Sequence, residues 1–144
     1  MNGGYVSRID LEDYPKIFNR HWYPARRAKN IYAMSDTPNK GELMHRMILP
    51  GSEVVDHKNG DGLDNRKSNL RGVTHKQNIR NSSRNAANSS GYKGVARYRY
   101  GWRAYIKIDG KQKHLGVYPC RLAAAYAYDI ASRSMFGEYA RPNF

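Results

Sequence analysis

The stretch EVVDHKNGDGLDNRKSNLRGVTHKQN, Glu53 to Asn78, decides how the chain is read. It opens with a short apolar run that ends on Asp56 and His57 side by side. Two chain-reversing dipeptides follow, Asn59-Gly60 and Asp61-Gly62; Asn, Asp and Gly tolerate the positive φ that tight hairpin turns require. A second short apolar run lies near Leu70–Val73, and a polar segment begins at Thr74. Thr74 suits an N-cap, because its hydroxyl can accept a free backbone N–H of the first helical turn. The expectation is a strand at 53–57, a long turn, a second strand and a helix: a ββα unit over about 53–80.

Such a unit folds the helix back toward the end of its first strand. An acid (Asp56) and an amide oxygen (Asn78, one turn into the helix) can then meet one cation, with the His57 imidazole beside it. Hard divalent ions such as magnesium or manganese take oxygen ligands, and magnesium keeps several waters. A neutral imidazole can take a proton from water near pH 7. Together these parts suit metal-dependent phosphodiester hydrolysis. Taken singly, Asp and Asn in turns more commonly satisfy backbone groups. An EF-hand begun at Asn59 fails, because Leu63 falls on a ligand position and Asp64 on the required glycine.

The bulk properties point the same way. The 144 residues suit one ordinary domain or two very small ones. Hydrophobic content is 40% and mean hydropathy −0.86, so no large core is expected. Lys and Arg number 25 against 12 acids, a net charge of +13, and the pI is near 10.0. That excess attracts a polyanion, nucleic acid above all. A membrane partner is excluded: no basic amphipathic helix with a wide apolar face is visible, and no run approaches the ~18 apolar residues of a span. The opening MNGGYVSRIDLEDYP lacks the apolar centre of a signal peptide. Cys120 is the single cysteine. It rules out an intrachain disulfide and a cysteine-rich zinc site, and it reads as a small packing residue. The chain is expected to work in a reducing cytoplasm, that of the host if a phage encodes it.

Composition shifts at RNSSRNAANSSG, residues 80–91, which reads as a linker at 81–90 between a domain at 1–80 and another at 91–144. The first part carries a net charge of +5; residues 81–144 carry +8 with only 3 acids. In the first part, DLEDYPKIFN suggests a short helix interrupted at Pro15. HWYPARRAKNIYAMS suggests two short strands around a basic turn, and GELMHRMIL a short strand or helix. In the second part, YKGVARYRY, WRAYIKID and KQKHLGVY are β-rich runs separated at Gly101 and at Asp109-Gly110. In CRLAAAYAYDIASRSMFG, Leu122, Tyr126, Ile130 and Met135 recur at near-helical spacing, with Gly137 as a natural stop. The fold class expected is α+β: a ββα-metal domain, then a three-stranded antiparallel sheet packed on one helix.

MHR at 44–46, VDHKNGDGLDNRKSNL at 55–70 and VTHKQN at 73–78 together resemble the HNH endonucleases of the homing and phage type. The resemblance covers about residues 5–80. It implies that His57 is the general base and Asp56 the strand-end metal ligand. It implies that Asn69 ties the loop and orients the base, and that Asn78 is the second metal ligand. His75, three residues earlier on nearly the same helix face, is a phosphate contact or alternative ligand. His45 is a structural support or substrate contact.

GYKGV at 91–95, WRAYI at 102–106, HLGVY at 114–118, AAAYAYDIAS at 123–132 and NF at 143–144 resemble the APETALA2-type domain of plant ethylene-response factors. The resemblance implies a DNA-docking sheet, with Lys93, Arg97, Arg99, Trp102, Arg103 and Lys107 as contact residues. Ala96 and Tyr100 stand where the plant pattern has Arg and Trp, so base preference does not carry over. The chain is thus read as a DNA endonuclease, monomer or dimer undetermined, with a magnesium- or manganese-type ion. A non-catalytic DNA-binding regulator on an HNH scaffold is the alternative; it expects Asp56, His57 or Asn78 to be replaced, and all are present. An RNA-binding protein fits less well, since no single-strand module is visible.

Overall fold

A computed structural model describes residues 4–27, 29–36, 41–82 and 88–144. The chain divides into two compact units, Met1–His75 and Lys76–Phe144. The described residues form a mixed α and β fold with three small antiparallel sheets. Most of the expected linker, residues 83–87, lies outside the described residues.

In the first unit a 3-10 turn at Leu11–Asp13 runs into α1 (Tyr14–Ile17). Pro15 sits in the first turn of α1 rather than interrupting a helix; there its missing N–H has no intrahelical bond to lose. The strands β1 (Trp22–Arg27) and β2 (Asn30–Ser35) pair antiparallel around the expected basic turn, whose Ala28 lies outside the described residues. GELMHRMIL forms both of its candidate structures: β3 (Glu42–Leu43), which extends the sheet beside β2, and α2 (Met44–Ile48). β4 (Val54–His57) then pairs with β5 (Leu70–Val73), setting Asp56 opposite Arg71 and His57 opposite Leu70. Ile17, Ala33, Met44, Ile48, Val55 and Leu70 make one core. That core fastens the hairpin to α2 and β2. The N-terminal segment joins the hairpin loop: Arg8 N donates to Leu63 O at 2.8 Å, and Asn65 N to Arg8 O at 2.8 Å. α3 (His75–Arg80) follows β5, with its first residue in the first unit and the rest in the second.

In the second unit β6 (Val95–Tyr98), β7 (Gly101–Ile108) and β8 (Lys111–Tyr118) form an antiparallel meander, covered by α4 (Arg121–Phe136). Asp109 and Gly110 both take positive φ, +46° and +83°, the conformation of a two-residue hairpin turn. The register shifts between Ala104 and Tyr105. Ala104 pairs with Gly116 and Tyr105 with His114, so Leu115 is the extra residue, and it packs into both core clusters of this unit. Gly137 ends α4 at a φ of +53°. Cys120 is exposed rather than packed; its Sγ accepts from Ala123 N at the start of α4.

One expectation about α4 is corrected. Leu122, Tyr126, Ile130 and Met135 are exposed, and the buried face is Ala124, Ala125, Tyr128, Asp129, Ser132 and Phe136. Small side chains let the helix lie close on the sheet: Ala104, Ala124 and Ala125 are 0% exposed. A Cβ on Gly94, itself at φ +72°, would stand 2.0 Å from the Tyr128 ring. Asp129 is buried because it is fully employed. It accepts from Asn143 N (2.8 Å), Asn143 Nδ2 (2.9 Å) and Phe144 N (2.9 Å), while Asn143 Oδ1 accepts from Lys93 N (2.7 Å). The terminal Asn-Phe pair is therefore a clamp between α4 and the segment leading into β6.

Candidate functional site

The loop between β4 and β5 is held by its own short polar side chains. Asn59 Oδ1 accepts from Asp61 N at 2.8 Å, and Asp61 Oδ1 from Leu63 N at 3.0 Å. These are side-chain turns of the kind Asn and Asp favour. Asn69 closes the loop from the β5 side. Its Oδ1 accepts from Asn59 N (3.1 Å), and its Nδ2 donates to Asn59 Oδ1 (3.1 Å) and to Asp64 O (2.8 Å). Arg66 grips the buried Asp64 carboxylate with two bonds of 2.7 Å, and this holds that carboxyl below the usual carboxylate range. Gly62 permits the loop to press on β2, since a Cβ there would lie 2.5 Å from Ile31 O and 2.6 Å from the Tyr32 ring.

Within this frame His57 is 5% exposed. Its Nε2 lies 3.0 Å from Asn65 Oδ1. The ring meets His45 edge-on at 4.9 Å between centroids, and Tyr32 lies 5.9 Å away. Burial pushes the His57 pKa below the ordinary histidine value, opposed by the Asn65 bond and by nearby acids. His57 is therefore neutral at pH 7, the form that can accept a proton. Burial, His57 and Arg46 push His45 down to about 3, so two adjacent imidazoles share the pocket without two charges. His45 is itself buried, with its ring 5.6 Å from Tyr32.

Asp56 is buried beside His57 and faces the cross-strand Arg71, whose Nε and Nη2 reach Asp56 Oδ2 at 3.0 and 2.8 Å. His75 is exposed at the start of α3, with Nε2 3.4 Å from Glu53 Oε1. Asn78 lies on α3, within the second unit. Asn65, Arg71, Ser7 and Tyr32 are the site residues that sequence reading misses. Asn65 reads as an ordinary turn residue beside Asp64, Arg71 as one residue of the second strand, and Ser7 and Tyr32 lie on segments without a motif; only the contacts single them out. Asp56 carries carboxylate oxygens and Asn78 an amide oxygen, donor types that hard divalent ions take. Among the described residues no group of three or more His, Cys, Asp or Glu that could hold a metal ion comes together.

In the second unit the register sorts the expected DNA-contact residues. Val95, Ala104 and Ile106 face α4. With Arg103 opposite Ala96 and Trp102 opposite Arg97, strand alternation puts Arg103, Tyr105, Lys107 and Tyr98 on the open face. Arg97 and Trp102 share the helix-side parity, and the Arg97 guanidinium lies 5.3 Å from the Trp102 ring centre. Arg103 lies between two rings, 6.0 Å from Tyr98 and 5.6 Å from Tyr105. Arg99 occupies the β6–β7 turn at φ +45°, over Tyr98 at 5.5 Å. Lys93 points elsewhere: its Nζ donates to Arg80 O and Ser82 O at 2.7 Å each, and burial lowers its pKa to about 8.

Comparison with known proteins bears on both units. A family model described as HNH endonuclease matches residues 44–80. An uncharacterized HNH endonuclease, L560, of Acanthamoeba polyphaga mimivirus is 29% identical over 148 residues, 97% of this chain and 75% of that protein. Protein 3.8 of Escherichia phage T7 is 30% identical over 95 residues, 65% of this chain and 78% of that protein. Dehydration-responsive element-binding protein 2A of Oryza sativa subsp. japonica is 45% identical over 56 residues, 37% of this chain and 20% of that protein. This last match is partial and is of the APETALA2 type. No solved structure matches the chain. The family match falls on α2, the β4–β5 hairpin and α3, the elements that carry His45, Asp56, His57, Asn69 and Asn78, and over this segment the chain is similar to the HNH endonuclease family.

Proposed function

We propose that the chain is a metal-dependent endonuclease that hydrolyses phosphodiester bonds in double-stranded DNA, with the second unit as its docking module. The observation that carries this reading is the pair Asp56 and His57 at the end of β4, buried and braced by the Asn69-laced loop, inside the segment that matches the HNH family. Asp56 and Asn78 would hold a magnesium- or manganese-type ion. When bound, the ion would polarise the phosphate and stabilise the departing oxygen. His57, neutral through burial, would take the proton of the attacking water. Asn69 would tie the loop that follows the base and so help orient it. Arg71 tempers the negative charge of Asp56 and keeps its carboxylate in one orientation. The open sheet face, with Arg103 and Lys107 among aromatic rings and few acids nearby, would supply the attraction for duplex DNA.

Nicking or linearisation of supercoiled plasmid tests the reading, with magnesium or manganese, with and without chelator. Wild-type chain should cut only with metal. His57→Ala should bind DNA as the wild type does and cut about 10²–10⁴-fold more slowly, the usual share of a general base. Asp56→Ala and Asn78→Ala should lose metal-dependent cutting. Cutting by His57→Ala at the wild-type rate would remove His57 from the mechanism.

A further inference from the structure

The apolar stripe on α4 lies outside the core of its unit. Leu122, Tyr126 and Ile130 follow one another at successive helical turns, and they are 47%, 57% and 69% exposed. The helix is anchored by its other face, where Ala124, Ala125, Tyr128, Asp129, Ser132 and Phe136 are buried. Side chains at i, i+4 and i+8 make one ridge. Phe144 broadens it. Its ring, 48% exposed, stacks on Tyr126 at 4.8 Å between centroids and meets Tyr92 at 5.5 Å. Phe144 is also fixed in place: its backbone N–H donates to the buried Asp129 carboxylate at 2.9 Å, and its carbonyl accepts from Arg133 at 2.6 Å. An exposed ring tethered through its backbone has little freedom left to lose when something packs on it. Single exposed apolar residues are ordinary on a protein surface, whereas a contiguous set marks a contact surface.

Charge decides what that contact is. Arg121 and Arg133 stand at the two ends of the ridge, with the Arg121 guanidinium 6.0 Å from the Tyr92 ring centre. The Arg133 bond to Phe144 uses one nitrogen of a group that has five N–H donors. α4 has a single acid, Asp129, and it is buried. The other acids of residues 81–144 are Asp109, in the β7–β8 turn, and Glu138, past the end of the helix. Two copies paired through α4, in either direction, would set arginine against arginine. Duplex DNA calls for cations along the whole surface, and between the two arginines the ridge is aliphatic and aromatic. We infer that the outer face of α4 is a docking surface for an acidic amphipathic helix of a partner protein. The apolar side of that helix packs on Leu122, Tyr126, Ile130 and Phe144, and its carboxylates meet Arg121 and Arg133. From Leu122 to Ile130 the ridge runs about 12 Å, so about three turns of a partner helix cover it. α4 lies on the sheet through its buried face, so its outer face is turned away from the open sheet face, and both can be occupied at once.

The test follows fluorescence anisotropy of a dye-labelled helical peptide of about five turns, made of Leu and Glu with Leu along one face, titrated with the full chain. Two controls are its scrambled form, equal in charge but without an apolar face, and a Leu/Lys form. The amphipathic Leu/Glu peptide should bind about 10-fold or more tightly than the scrambled one. Ile130→Ser and Leu122→Ser change no charge and sit at exposed positions, where substitutions cost the fold little. Each should weaken peptide binding about 10-fold, as loss of an interface anchor does, and leave duplex DNA affinity as it is. Arg133→Glu should weaken the Leu/Glu peptide and strengthen the Leu/Lys form. Equal binding of the scrambled peptide overturns the inference, because charge alone would then account for the contact. So does wild-type peptide binding by both serine variants. A loss of duplex affinity in those variants would make the face part of the DNA surface instead. A wild-type dimer in sedimentation that Ile130→Ser separates would make it a contact between copies.

Discussion

At the scale of single residues, the site is built from groups kept in unusual states by burial. His45 is the extreme case, with its pKa pushed down to about 3. Its value in the folded chain lies below that of the unfolded chain, so between about pH 6.5 and 3 the unfolded chain binds the proton and the folded chain does not. Stability must therefore fall as pH falls through that window, by up to ~1.4 kcal/mol per pH unit for one such group. His57 is shifted in the same direction and adds to the slope. Urea unfolding of the first unit at pH 7 and pH 5 should show this loss, and His45→Gln should shrink the difference. A variant with the same pH dependence as the wild type would mean that His45 is not held neutral. Arg71 offers a second check. It and Asp56 are 11% and 8% exposed at their side chains. Arg71→Met should destabilise the unit by about 3 kcal/mol, the low end for breaking a buried ion pair, measured by the same unfolding curves.

At the scale of elements, the notable feature of α3 is what its far end is tied to. Lys93 Nζ bonds the carbonyls of Arg80 and Ser82, Arg141 Nη1 reaches Asn81 O at 3.5 Å, and the Arg80 guanidinium lies over Phe136 at 4.9 Å. A helix of 6 residues has little stability of its own, so these ties should set its order. Lys93→Met should speed amide hydrogen exchange over residues 78–82; unchanged protection would show that the helix stands without it. The packing of α4 makes a sharper demand. Gly94→Ala puts a methyl into the Tyr128 ring at a backbone angle that L residues avoid. It should cost at least about 2 kcal/mol, read as a lower melting temperature of the second unit.

At the scale of the whole molecule, charge and face decide what the chain can dock on. The net charge is +13, and among the described residues no helix is long and apolar enough to cross a membrane. If the open face of the β6–β8 sheet meets duplex DNA, the full chain should bind with a steep salt dependence. Each lost phosphate contact should flatten the log–log slope by about 0.9. Arg103→Ala and Lys107→Ala should then weaken binding more than Arg97→Ala, because Arg97 shares the helix-side parity of the strand and is stacked on Trp102. Equal losses from all three, measured by salt titration of binding, would move the contact off that face.

Local sequence determined the elements here because their signals are local. Asp109-Gly110 sets a hairpin through the φ values those residues tolerate, Gly137 ends α4 for the same reason, and the run from Asp56 to Asn78 announces strand, loop, strand and helix. The pairing of Asp56 with His57 at the end of β4 is likewise visible as adjacent letters. Tertiary structure alone decided the rest. Ser7 and Asn65 are 58 positions apart, and only the pairing of Arg8 with Asp64 brings them together. The buried face of α4 is hidden from apolar periodicity because close packing selected alanine there, and the clamp on Asn143 and Phe144 buried an aspartate. Which arginines face outward depends on strand register, set by the long-range pairing of β6 with β7. A sequence shows which groups are available, but their burial, partners and protonation follow from distant segments that the chain brings together only on folding.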